Sequence, residues 1–178
     1  MSYIKKEKEI LKEISEVLEK NSEKSEKDLV KAILKAKSVF VVGQGRSGLV
    51  AKSFAMRLMQ LKLNSFVVGE TITPSITKYD LLIAVSGSGE TQTVVDILKE
   101  CPSKKACITA EKNSPIAKQC ELVILLKGKT KKSGKSIEPL GSLFEQTSQI
   151  FLDTVVLGLM DKLKLKENVM KKKHSNTE

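Results

Sequence analysis

Two short runs hold most of the chemistry that this sequence can do. One is Gly43-Gln44-Gly45-Arg46-Ser47-Gly48; the other is Ser86-Gly87-Ser88-Gly89-Glu90-Thr91. Each follows an apolar stretch and opens a helical one. In the second run Gly87 and Gly89 let the backbone turn sharply and approach a ligand closely. Ser86, Ser88 and Thr91 supply hydroxyls. The helix that follows points its unpaired N–H groups and the positive end of its dipole back at the loop. Together these make a cradle for an anion such as a phosphate monoester. The run has no lysine and no Gly-Lys-Ser/Thr ending, which excludes the nucleoside-triphosphate loop. Taken alone it would pass for an ordinary strand-to-helix turn with a serine cap. A second glycine run in the equivalent position after another strand favours ligand binding.

The first run has part of the look of a dinucleotide fingerprint, and Glu70 stands near the spacing at which a ribose-binding carboxylate is expected. A nucleotide there would leave the Ser86–Thr91 run without a role. Three carboxylates compete as proton-transfer groups. Glu145 lies in the first turns of a long apolar helix, beside Leu143 and Phe144. A shielded carboxyl there suits general-base work, although an acidic residue at a helix start also simply complements the dipole. Glu90 sits inside the anion loop, where its charge would repel a phosphate, so it is expected to turn away. Glu70 follows the second strand in a capped loop. The only histidine, His174, is near the chain end, where a solvated tail residue is the default.

These residues need a frame. Residues 4–20 carry Ile10, Leu11, Ile14, Val17 and Leu18 on one face, an amphipathic helix that can pack on its own domain or on a partner subunit. The polar residues 21–28 break it, and a short helix over 29–36 follows. Short apolar strands are then predicted at 39–42, 65–68, 81–85, 105–109 and 122–126. Helices are predicted at 47–61, 91–98, 113–119 and 140–163, the third capped by Ser114 with Pro115 in its first position. Alternation of this kind predicts an α/β fold, a three-layer αβα sandwich around a five-stranded parallel sheet. Both glycine runs then fall at the carboxyl ends of strands, where such sheets bind ligands.

The chain of 178 residues is read as one domain, 1–178, with its core at about 29–165 and a tail at 166–178. With 40% hydrophobic and 29% charged residues it is not a disordered chain. No apolar run is long enough to span a bilayer and the first ten residues lack a signal-peptide core, so no membrane partner and a cytoplasmic location are expected. Cys101, Cys107 and Cys120 have no metal-ligand spacing and are expected to be reduced and structural. The net charge of +10 favours anionic ligands. Nucleic acid is disfavoured, because Trp is absent and Arg46 and Arg57 are the only arginines. Lysine clusters at 127–135 and 170–174 are expected to be solvated.

The stretches Gly43–Leu58, Val68–Pro74, Leu81–Thr91, Pro139–Asp153 and the ending Lys173–Glu178 resemble the SIS (sugar isomerase) domain family, and within it the 6-phospho-3-hexuloisomerases, over nearly the whole chain. Ser175 and Thr177 depart from the usual ending. The resemblance implies a flavodoxin-like sheet and a reversible conversion of D-arabino-hex-3-ulose 6-phosphate to D-fructose 6-phosphate in the ribulose monophosphate route of formaldehyde fixation. It implies no metal or other cofactor and a homotetramer built as a dimer of dimers. It also implies coupling to the 3-hexulose-6-phosphate synthase. Its motifs assign Ser47, Ser86, Ser88 and Thr91 to the substrate, within a binding set completed by Gly45, Arg46, Gly87, Gly89 and Glu90, and Glu145 as the base. His174 is expected to reach a neighbouring subunit's site as a proton shuttle. Two alternatives stay open: another sugar-phosphate isomerase of the family, and a module that binds a sugar phosphate without turning it over.

Overall fold

The computed structural model describes residues 1–127 and 136–177. Most of the lysine cluster at 127–135 and the last residue lie outside the described residues. The chain opens with helices α1 (Tyr3–Glu19) and α2 (Glu23–Lys35), then alternates: β1 (Val39–Gly43), α3 (Gly45–Gln60), β2 (Ser65–Val67), β3 (Leu81–Val85), α4 (Gln92–Glu100), β4 (Lys104–Thr109) and β5 (Leu122–Leu125). It ends with the long α5 (Ser142–Leu163) and the short α6 (Glu167–Lys171). All strands pair in parallel, in the order β2-β1-β3-β4-β5. Among the described residues no helix is long and apolar enough to cross a membrane.

Successive strand residues face opposite sides of the sheet, so each apolar strand feeds two cores. Val39, Val41, Ile83, Val85, Ile108 and Ile124 face α1, α2, α3 and α5 and pack against Leu29, Ile33, Phe54, Leu58, Phe151 and Val155. Phe40, Val42, Leu82, Ala84 and Cys107 face the other way, against Val94, Val95 and Leu98 of α4 and Ile116. Strands buried on both faces read as unbroken apolar runs, which is why their pattern was visible without alternation. Helix α1 packs on its own chain, through Ile14 and Val17, rather than standing free.

Three local readings change. The polar residues do end α1, but the break is only Lys20 to Ser22: Ser22 accepts the Lys24 N–H and caps α2, which starts at Glu23 with acidic residues in its first turn. Those charges favour the positive end of the helix dipole. Ser114 does cap, accepting the Ala117 N–H at 3.2 Å, but the helical piece is only a 3₁₀ turn, Ala117–Gln119. The tail carries α6, held to the core through Leu165 and Met170. None of the three cysteines is bridged. The Cys107 thiol is held well above its ordinary range, first by its hydrogen bond with Cys120 and then by burial, which leaves no nucleophilic thiolate.

Candidate functional site

The strand order reverses direction between β1 and β3, and in open parallel sheets ligands bind in the crevice that this switch opens at the carboxyl ends. Gly43 of β1 pairs in register with Val85 of β3. Both glycine runs therefore leave the sheet side by side at the same height. The helices that they open, α3 and α4, begin at Gln44 and Thr91 without any side-chain capping bond, whereas Ser2 and Ser22 cap α1 and α2. Two sets of N-terminal N–H groups thus converge on one crevice.

The Ser86–Thr91 loop is held rigid from within. The buried Ser86 hydroxyl accepts the Gly89 N–H at 3.2 Å and lies 3.2 Å from the Thr91 hydroxyl. Ser88 Oγ accepts the Glu90 N–H at 3.3 Å. Gly89 has φ +62, and a Cβ there would come within 2.0 Å of Ser114 Oγ, so only glycine serves. Below the loop, Gly87 and Gly89 carbonyls accept N–H groups from Ala110 and Ile116. Glu90 is exposed. In the other run Gly45 has φ +56 with open space above it, and Gly48 lies so close to Gly43 that a Cβ would meet its carbonyl oxygen at 2.8 Å. Ser47 is half-buried in the first turn of α3.

Helix α5 brings the carboxylate. Phe144 lies against Gly87, where a Cβ would stand 2.9 Å from Phe144 Cδ1. The first turn of α5 therefore abuts the Ser86–Thr91 loop, and the next residue, Glu145, has a side chain only 15% exposed. Arg46 Nε donates a short hydrogen bond to Glu145 Oε2. The two side chains also form one wall of a hollow of about 500 Å³, lined further by Ile14, Leu49, Val50 and Ile150. No residue of the Ser86–Thr91 loop is among those that line this hollow.

Behind Glu145 stands a carboxyl group that sequence reasoning missed. Glu138, in the approach to α5, accepts the Gln146 Nε2 hydrogen at 2.7 Å on Oε1, while its Oε2 is buried without a hydrogen-bond partner. Burial raises its pKa above the usual carboxylate range; the Gln146 hydrogen bond and Arg46 work against this, and Glu13 and Glu145 add to it. Ser136 links the group to α1 by donating to Glu13 and accepting the Glu138 N–H at 3.0 Å. Nothing local marks Glu13 or Ser136, which come from opposite ends of the chain.

The remaining candidates lie apart. Glu70 pairs with Lys52 at 2.6 Å on the outer surface of α3. His174 is exposed beyond α6, with Nδ1 3.2 Å from the Ser175 carbonyl oxygen, and is not among the residues of the hollow. Among the described residues no group of His, Cys, Asp and Glu is arranged to hold a metal ion.

The SIS domain family matches residues 32–150. A Bacillus subtilis protein named 3-hexulose-6-phosphate isomerase is 41% identical over 177 residues, covering 96% of each chain. A Methanocaldococcus jannaschii protein of the same name is 41% identical over 150 residues, covering 83% of this chain and 81% of its own. A solved Methanococcus jannaschii structure, from which a molecular function as 3-hexulose-6-phosphate isomerase has been inferred, superposes with a TM-score of 0.85 at 37% identity, covering 95% of this chain and 97% of that one.

Proposed function

The chain belongs to the SIS domain family, and from that premise we propose that it interconverts D-arabino-hex-3-ulose 6-phosphate and D-fructose 6-phosphate. The observation that supports this reading is the contact of Phe144 with Gly87, which brings the first turn of α5, the turn that carries Glu145, up to the anion loop. A sugar phosphate needs that pairing: a fixed handle for its phosphate and a base a few atoms away.

On this reading the phosphate rests on Ser86, Gly87, Ser88, Gly89 and Thr91 and the N-terminus of α4, with Gly45, Arg46 and Ser47 closing the crevice from the β1 side. Glu145 takes the proton from C2. The C2–H electrons form the C2=C3 bond and the C3 carbonyl oxygen takes a proton, giving a cis-enediol. Glu145 then returns its proton to C3 while O2 gives one up, and the carbonyl stands at C2. One carboxyl group on one face suffices for both transfers. The phosphorylated O6 of the 3-ulose cannot close a five-membered ring on C3, so only the reverse reaction needs ring opening.

His174 is read as a proton shuttle delivered to a neighbouring subunit. The working form is read as a homotetramer, a dimer of dimers, in the cytoplasm and coupled to the synthase that supplies its 3-ulose. Residues 1–178 act as one unit.

A coupled assay tests the reading: hex-3-ulose 6-phosphate is supplied and fructose 6-phosphate detected. Turnover is expected, and Glu145→Gln should lower kcat by about 10²–10⁴-fold. Fructose 6-phosphate binding without turnover would make the protein a sugar-phosphate sensor. Unchanged kcat in the variant would remove Glu145 as the base.

A further inference from the structure

The contact that stands out in the free site is the one between its cation and its base. Arg46 Nε donates directly to Glu145 Oε2, so that oxygen of the carboxylate is engaged by a cation. The two partners are held differently. Glu145 is fixed on α5, 15% exposed and backed by Phe144 in the core. Arg46 is 59% exposed on the second residue of α3, free to swing about a flexible stem. The arginine is the part that can move.

A place for it to move to lies alongside. Gly43 and Val85 are paired across the sheet, and Arg46 follows Gly43 by as many residues as Ser88 follows Val85. Arg46 and Ser88 therefore each stand three residues beyond a paired strand position, on the two sides of the switch point. A phosphate dianion offers a guanidinium two parallel charge-assisted hydrogen bonds and twice the charge of a carboxylate. The uncapped end of α4 would hold that dianion at its other oxygens.

We propose that Arg46 is a latch on the catalytic carboxylate: it holds Glu145 in an ion pair while the site is empty, and the phosphate group of an arriving sugar phosphate draws Arg46 away and frees Glu145 Oε2 for proton abstraction. Arg46 is thus a positioning residue that acts through Glu145, and the inference rests on the isomerase reading above. The consequence is selectivity at the chemical step. A sugar without phosphate meets a base that is still capped, so the phosphate's binding energy is spent on kcat as well as on affinity.

The test divides the substrate in two. The five-carbon 3-ketose that ends where the substrate's C5 would be cannot close a five-membered ring, and inorganic phosphite dianion stands for the missing group. Conversion of this ketose is followed by NMR, with and without phosphite, in the wild type, Arg46→Ala and Arg46→Gln. In the wild type phosphite should speed conversion by about tenfold or more. In both variants turnover without phosphite should rise above the wild-type level and the phosphite effect should shrink. If Arg46 only binds phosphate, unactivated turnover stays at the wild-type level or falls, and the latch is overturned. It is overturned too if phosphite does not activate a wild type that converts hex-3-ulose 6-phosphate. A wild type inactive on the full phosphorylated substrate would instead remove the isomerase reading on which the latch rests.

Discussion

Glu138 and Glu145 are both carboxylates near the crevice, and their surroundings give them different work. A base must reach C2 of a bound sugar. Glu145 lines the hollow and pairs with Arg46, whereas Glu138 Oε2 is buried without a partner and its Oε1 is engaged by Gln146. A buried carboxyl with raised proton affinity is a store of pH dependence. The folded protein binds the Glu138 proton more tightly than the unfolded chain does. Stability therefore falls as pH rises from the ordinary value of 4.5 through the raised one, and the loss persists above it. Glu138→Gln removes that ionisation and keeps an acceptor for Gln146. The difference in Tm between variant and wild type should shift in the variant's favour as pH is raised from about 4 to 8. A difference that does not change with pH would show that Glu138 is not strained by ionisation. On the proposed mechanism Glu145 removes the proton, so activity should survive.

At the scale of elements, the two loops are specified by close approach rather than by hydrogen-bonding side chains alone. The Gly89 Cβ position is occupied by Ser114, in a segment that the Gly89 carbonyl itself anchors through Ile116. Gly89→Ala must distort the loop and adopt a positive φ, at a cost on the order of 1 kcal/mol for the backbone alone. It should lower Tm and weaken inorganic phosphate binding together. Ser88→Ala removes one hydroxyl from a half-exposed position and should weaken phosphate binding while leaving Tm nearly unchanged. Equal loss of Tm in both variants would mean that the loop is structural rather than an anion cradle. These elements were legible because strands buried on both faces and glycine runs leave local marks. The first turns of helix α2 are not legible in the sequence because Glu23 to Lys27 are all polar and carry no apolar period, although Ser22 offers a cap. The Arg46–Glu145 and Glu13–Ser136 pairs join residues far apart in sequence, and side-chain pairing at such separations has no local signature.

The whole molecule shows an uneven surface. Leu11, Leu49, Ile150 and Leu157 are exposed on α1, α3 and α5, the helices of one side of the sheet. Contiguous exposed apolar residues mark a protein–protein contact, and of these Leu49 and Ile150 share one hollow. Arg46 and Glu145 line the same hollow. A neighbouring subunit seated there would stand at the wall that carries Glu145, and His174 is exposed just beyond the short α6. If His174 serves a neighbour's site, two defective subunits can complement each other. In a pair of Glu145→Gln with His174→Ala, the site that keeps its own Glu145 receives an intact His174 from the other subunit. The second site has both defects. Each variant alone should be impaired, and dissociating, mixing and reassociating them should restore activity well above the mean of the two. Sedimentation velocity on the same samples checks that reassociation has occurred. Reassembled mixtures that stay at the mean would place Glu145 and His174 of one site on one chain, or remove His174 from the reaction.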